Sequence, residues 1–237
     1  MPDEVVATPF GKFLITRGDL IGETTRAGTL WDGPGFLQVI AKEHGRLGEP
    51  GVTILDVGAN QGAFSIWLAQ QGAWRVIAVE PVPQVMQRLK ANLDLNREIT
   101  AGVVVPLEVA GYSQAVLLGV GPFDPGNWGG TTLGVASDQR VRGCGLDAYQ
   151  FLYGERVSLI KIDAQGCDGE VIFGLKATLE RDHPVIVFEW EADLAKPHPN
   201  SLAQVRFLLE GLGYQVHEWP SHPGNYLALP IKGWGSL

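Results

Sequence analysis

Residues 52–57 (VTILDV) are apolar at nearly every position, and the run stops at Gly58. A strand with one wet face alternates apolar and polar residues. A continuous run of this length reads instead as a strand buried on both faces, the kind found in parallel sheets. After the turn, residues 63–71 carry Phe64, Trp67 and Leu68 on one helical face, and residues 75–80 form a second buried run. Parallel neighbours need a crossover between them, and this helix is long enough to supply it. The unit commits the chain to an α/β sheet with helices on its faces.

The same alternation continues. Val82, Val85, Met86, Leu89 and Leu93 recur at helical spacing, predicting a helix over 83–96 with proline in its first turn. Residues 103–110, 158–163 and 185–190 read as three more strands. A helix is predicted over 168–181, and another is expected to run from an Asn200 cap through Leu212. The closing segments YQVHEW and YLAL, joined by PSHPGN, predict an antiparallel hairpin. The fold class expected is therefore a doubly wound, mostly parallel, seven-stranded sheet with a C-terminal antiparallel hairpin. Residues 111–157 interrupt the alternation and read as an inserted β-hairpin and loop. Residues 1–50 are mixed; GKFLIT reads as a short strand and FLQVIAKEHG as a helix ended by Gly45.

Composition narrows the function classes. The 237 residues are 45% hydrophobic and 19% charged, which supports a sizeable core. The net charge is −8 and no Lys/Arg-rich run occurs, so neither a nucleic-acid partner nor a membrane surface is expected. No apolar run reaches the roughly 18–20 residues of a membrane span. Cys144 and Cys167 lack CxxC or zinc spacing, which favours a reducing, cytoplasmic setting. His183, His198, His217 and His222 show no metal spacing, and no metal is expected.

In open α/β sheets, ligands bind beyond the carboxyl ends of the strands. Asp56, Glu80, Ala110, Asp163 and Glu189 all fall at or near such ends. A dinucleotide site wants G-x-G-x-x-G so that a pyrophosphate can approach the backbone. Here that register reads Gly58, Asn60, Ala63, and the second glycine is missing. The loop, with an acid nearby, suits a smaller cationic ligand. S-adenosyl-L-methionine meets that description: an amino-acid head, a sulfonium and a ribose, without phosphate. Asp56 can then serve the ammonium directly or through water, backbone N–H groups of Gly58, Ala59, Asn60, Gln61 and Gly62 its carboxylate, and Glu80, before Pro81, both ribose hydroxyls. An acid ending the second strand also fits an NAD ribose, so a nicotinamide-dependent oxidoreductase stands as an alternative.

The blocks ILDVGANQGAFSIWLA, VIAVEPVPQVMQRLKANLDLN, LDAY, LIKIDAQGCDGEVIFGL and PVIVFEWE resemble the FkbM-type methyltransferases over about residues 50–192, with a looser echo in GDLIGETTRAGTLWDG. The resemblance implies a class I methyltransferase (Rossmann-like) fold, S-adenosylmethionine as donor, and acceptors that are mostly hydroxyls of sugars or polyketide-type natural products. The pattern becomes regular at residue 51, so the chain is expected to divide into a cap segment, 1–50, and a methyltransferase domain, 51–237. By the resemblance, Asp56, Gly58, Asn60 and Gly62 form the donor loop, Glu80 is the ribose acid, and Val109 and Ala110 flank the adenine. Lys161, Asp163 and Gly166 match the family's second block. Gln165 stands where the family usually has glutamate, and Asp168 is a nearby charge that can partly replace it.

The reaction expected is O-methylation of a small-molecule or glycan hydroxyl. Asp163 is the first candidate for base or substrate-orienting group, and Glu189 the second. Lys161 is expected on the opposite strand face from Asp163, with a structural role. Asn127, Trp128 and Thr131 are candidates to line an acceptor pocket, and Trp31 and Asp32 to close it. A binding protein that keeps the donor fold without catalysis is a third reading, supported by Gln165. Edge pieces of the insertion are candidates for pairing between chains in a homo-oligomer.

Overall fold

A computed structural model describes residues 2–31, 40–41, 46–149, 155–219 and 223–231. The chain opens with an antiparallel hairpin, β1 (Asp3–Thr8) and β2 (Gly11–Thr16), followed by helix α1 (Leu20–Arg26). The sequence pattern predicts only β2; β1 alternates exposed and half-buried residues, so its short apolar stretch of Val5, Val6 and Ala7 is not a buried run. The helix expected at 36–45 lies outside the described residues except for Ile40 and Ala41, which are buried.

Regular alternation starts at β3 (Val52–Val57) and runs through α2 (Ala63–Gln70), β4 (Arg75–Val79), α3 (Pro83–Leu95), the short α4 (Arg97–Thr100) and β5 (Val104–Leu107). Then come β6 (Ala110–Gly111), β7 (Val116–Gly119) and β8 (Arg140–Cys144), which form a separate three-stranded sheet in the order β6-β8-β7. The insertion is thus more than the expected hairpin. The third strand expected over 103–110 ends at Leu107, because the chain leaves the main sheet and Ala110 pairs with Gly143 instead.

The main sheet resumes with β9 (Arg156–Ile162), α5 (Asp168–Phe173), α6 (Lys176–Asp182) and β10 (Val185–Glu189). It closes with α7 (Ala192–Ala195), α8 (Leu202–Gly211), β11 (Tyr214–Glu218) and β12 (Asn225–Pro230). The predicted single helix at 168–181 is two helices split at Gly174. A Cβ there would sit 2.0 Å from the Tyr112 carbonyl oxygen, so the break admits the insertion's backbone. The last long helix is capped by Ser201, in a reciprocal capping box with Gln204, rather than by Asn200. Asn200 instead donates its side-chain amide to Glu170 at 2.6 Å.

The seven-stranded sheet has the order β11-β12-β10-β9-β3-β4-β5. β10, β9, β3, β4 and β5 are parallel, and β12 pairs antiparallel with both β10 and β11, as the C-terminal hairpin predicts. Both faces are covered. Ile54, Val76, Ala78 and Val187 pack with Phe64, Ile66, Leu68, Met86 and Leu89 under the N-terminal hairpin. Their neighbours Leu55, Ile77, Val79 and Phe188 pack on the other face with Val171, Leu179 and Leu209. Adjacent residues of one apolar run therefore feed two cores, which is why the runs do not alternate. The order changes direction between β3 and β9, so the crevice of the fold opens above their carboxyl ends.

Candidate active site

The loop after β3 makes a turn through left-handed backbone at Gly58 (φ 79°), Asn60 (φ 50°) and Gly62 (φ 86°). Asparagine tolerates this region better than most residues, so the missing second glycine does not change the turn. Gly58 is needed for space as well. A Cβ there would lie 1.8 Å from the Asp163 carbonyl oxygen, so the ends of β3 and β9 touch backbone to backbone.

The loop's N–H groups are not available to a carboxylate, contrary to the expectation from sequence. Gly58 and Ala59 donate to Val79 O at 2.9 and 3.0 Å, and Gly62 to Ala59 O at 2.9 Å. Asn60 N–H donates to Glu80 Oε2 at 3.1 Å, and Gln61 N–H to the Asn60 side-chain oxygen at 2.7 Å. The turn is satisfied by its own residues and by the tip of β4.

Glu80 is buried, its second oxygen accepting from Val82 N–H at 2.9 Å. Burial pushes its pKa up to about 7, against the help of those two backbone donors. Each oxygen keeps a free lone pair for a further donor. The carboxylate lines an open cleft with about 560 Å³ of empty space, together with Gly58, Asn60, Pro81, Ala110 and Gln165. Val109 is buried beneath, packed with Leu146 and Ile162.

A second cleft, with about 900 Å³ of empty space, adjoins it and is lined by Ala59, Phe64, Trp31, Asn127, Lys161, Glu189 and Glu191. Gly58, Asn60, Gly129, Asp163 and Gln165 border both. Trp31 is half exposed at the second cleft; Asp32 lies outside the described residues. Trp128 and Thr131 are on the Glu80 cleft rather than with Asn127, so the three insertion residues expected in one acceptor pocket are divided between two.

Lys161 and Asp163 share a strand face, because side chains repeat every two residues. The expected opposite placement of Lys161 is therefore wrong. Its Nζ lies 3.3 Å from Asp163 Oδ2 and 4.0 Å from Asp56 Oδ1. Asp56 has no exposed surface and accepts from Ser65 at 2.6 Å, and burial raises its pKa despite Lys161. The side chain nonetheless borders the second cleft from beneath, and its Oδ1 has no hydrogen-bond partner among the described residues. Burial would also raise the Asp163 pKa, but the Lys161 charge and hydrogen bonds from Gln165, Lys161 and Glu189 hold it below the ordinary carboxylate value. Glu189 shifts the other way, raised by burial and then by the charges of Asp163, Asp168 and Glu191. The two shifts run in opposite directions, so Asp163 is the member of the pair that holds its charge more readily.

Gln165 has left-handed backbone (φ 49°) and donates its amide to Asp163 Oδ1 at 3.0 Å. Asp168 does not replace the missing glutamate. It is buried and accepts from Ala164 and Gly166 N–H at 3.2 and 3.1 Å, which fastens the loop, and burial lifts its pKa to about 7.

One residue of the site escaped the sequence reading. Asp19 is wholly buried and accepts from Gly22 N–H (2.8 Å), Gln61 Nε2 (2.6 Å) and Trp128 N–H (2.9 Å). It joins the N-terminal segment, the glycine loop and the insertion. The only sequence sign was a Gly-Asp pair ahead of a weak helix, within the GDLIGETTRAGTLWDG echo. His198 is also buried, contacting Tyr112 OH at 3.3 Å and Cys167 Sγ at 3.4 Å, and ties the insertion to the C-terminal half. Among the described residues, no group of three or more His, Cys, Asp or Glu is arranged to hold a metal ion.

Residues 56–216, from the buried acid of β3 to the final hairpin, match the model of the methyltransferase FkbM domain. The chain belongs to the FkbM methyltransferase family. FkbM proteins are S-adenosylmethionine-dependent methyltransferases, and this sets aside the nicotinamide alternative. The FkbM chain is 24% identical over 199 residues to the methyltransferase sdnD of Sordaria araneosa, covering 69% of this chain and 73% of that protein. It is 27% identical over 179 residues to the AMB antimetabolite synthetase AmbE of Pseudomonas aeruginosa, covering 59% of this chain and 8% of the synthetase. A crystal structure of methyltransferase FkbM from Methylobacillus flagellatus superposes with a TM-score of 0.52 at 16% identity, covering 74% of this chain and 42% of that one, and shares the fold. The chain thus spans a small part of the synthetase and under half of the M. flagellatus protein.

Proposed function

We propose that this FkbM domain methylates a hydroxyl group of a small metabolite, sugar or natural product, with the donor in the Glu80 cleft and the acceptor in the second. The observation that carries the reading is Asp163, an ionised carboxylate bordering both clefts.

The residues present suit the donor. Glu80 offers two carboxylate oxygens to the ribose hydroxyls, and its raised pKa marks an acid short of donors. Ala110, Val82 and Val85 give the same cleft an apolar wall for the base. Lys161, the one cation lining either cleft among the described residues, lines the second cleft and not the Glu80 cleft, so it serves as partner for the donor's carboxylate only if the donor's amino-acid end crosses the border the two clefts share. Bound S-adenosylmethionine supplies an electrophilic methyl group whose departure leaves a neutral thioether.

The chain's own task is then to hold an acceptor oxygen in line. Alignment is worth about 7–11 kcal/mol, against about 10²–10⁴-fold for a base. Asp163 accepts the hydrogen bond of the acceptor hydroxyl, and takes its proton as the new oxygen–carbon bond forms. Glu189, protonated, donates to Asp163 and keeps its carboxylate oriented. Phe64 and Trp31 give the acceptor cleft apolar surface that excludes water.

A radiolabelled donor and a library of hydroxylated acceptors test this. Asp163→Asn should lower turnover about 10²-fold with donor affinity within about twofold. Turnover unchanged in that variant would remove Asp163 from the chemistry. Donor binding without turnover on any acceptor would favour the non-catalytic reading.

A further inference from the structure

Residues 128–131 of the insertion reach the Glu80 cleft, and two of their side chains arrive there with unmet hydrogen-bonding groups. Thr131 is 8% exposed and lines the cleft, yet its Oγ1 finds no partner among the described residues. Trp128 lines the same cleft, and its buried Nε1–H likewise finds no acceptor among them. An orphaned buried hydroxyl costs about 1–3 kcal/mol, so its retention asks for a partner that arrives later.

These side chains are held in place. Asp19 receives the Trp128 backbone N–H, and the Arg88 guanidinium covers the indole face at 4.5 Å from its centroid. Arg88 in turn bonds Asp3 at 2.8 Å and Thr16 at 3.1 Å in the N-terminal hairpin. Phe123 packs edge-on against the indole at 4.9 Å. Leu133, two residues past Thr131, joins Val82, Val85, Ala110 and Cys167 in one apolar cluster that lines the cleft.

We infer that Thr131 and Trp128 bind the adenosyl part of the methyl donor, so that this stretch of the insertion walls the donor pocket while Asn127 is left to the acceptor pocket. The chemistry fits. A threonine hydroxyl both donates and accepts, and an indole N–H donates only. A nucleoside offers ring nitrogens, an exocyclic amine and ribose oxygens to match, whereas the methyl acceptor belongs to the neighbouring cleft with Asn127. The inference rests on the proposal that the Glu80 cleft holds the donor.

S-adenosylhomocysteine, which binds without reacting, is the probe, titrated by calorimetry against wild type, Thr131→Val, Trp128→Phe and Glu80→Gln. Thr131→Val keeps the shape and removes the hydroxyl. It should weaken the probe about three- to tenfold, the worth of one neutral hydrogen bond. The free variant should melt no lower than wild type, because the hydroxyl it loses is unpaired there. Trp128→Phe should weaken the probe by a similar factor. Unchanged affinity in both, with Glu80→Gln losing the probe, overturns the inference and leaves the donor pocket standing. Unchanged affinity in Glu80→Gln removes the donor pocket itself, and the inference with it. A lower melting temperature with unchanged affinity in Thr131→Val also overturns it, since the hydroxyl then has a structural partner.

Discussion

Gln165 shows how one side chain sets the charge of a site. Its amide donates to Asp163 Oδ1, where a glutamate would present a second negative charge. With the Lys161 ammonium on the other oxygen, Asp163 stays ionised at the border of the two clefts. The glutamine therefore favours a proton acceptor, in contrast to the non-catalytic role that its departure from the family pattern invites. Gln165→Glu should remove the donated hydrogen bond and add repulsion. The variant should lose about 1 kcal/mol of stability at about pH 8 by chemical denaturation, and recover most of it at about pH 4, where the new carboxyl is protonated. A deficit of equal size at both pH values would refute the electrostatic reading.

Among elements, the decisive contacts are those made to the turn after β3. The turn must accept the end of β9 against Gly58, the tip of β4 through Glu80, and the N-terminal segment through Gln61. Asp19 is the junction. It begins α1, holds Gln61 and receives Trp128 from the insertion, so three segments distant in sequence share one carboxylate. Asp19→Ala unpairs a helix N-terminus and two further donors. A loss of about 2–4 kcal/mol of stability is expected by chemical denaturation, from a lost cap plus buried donors left without acceptors. Donor affinity should fall too, because Trp128 loses its anchor. Stability within about 0.5 kcal/mol of wild type would show that water replaces the carboxylate.

Across the whole molecule, several buried carboxyl groups shift together with pH. Glu80 and Asp168 have ordinary values of 4.5 and 3.8, and the fold raises both to about 7. The folded protein holds these protons more tightly than the unfolded chain. Their contribution is fully present below the ordinary values and is lost as pH rises through about 7. Asp3 and Asp163 are shifted down, so theirs is present above the ordinary carboxylate range and lost as pH falls below it. The melting temperature should therefore peak near about pH 4 and decline from about pH 5 toward about pH 8. In Glu80→Gln the decline in stability should be shallower by about 2–3 kcal/mol, since each tenfold gain in proton affinity on folding is worth about 1.4 kcal/mol. A decline as steep as in wild type would show that Glu80 is solvated. No helix among the described residues is long and apolar enough to cross a membrane. Much of this architecture is legible in local sequence. Continuous apolar runs mark the central strands, helical spacing marks α3 and α8, and the terminal hairpin and the acids at the strand tips follow from short patterns. These are properties of neighbouring residues, and neighbours lie close whatever the rest of the chain does. The division of helix 168–181 at Gly174, the pairing of Ala110 with Gly143 and the common face of Lys161, Asp163 and Asp56 depend on where remote segments pack. Whether a carboxyl is charged, whether a loop N–H is free and which cleft a side chain lines are decided by partners far along the chain, so only the tertiary structure fixes them.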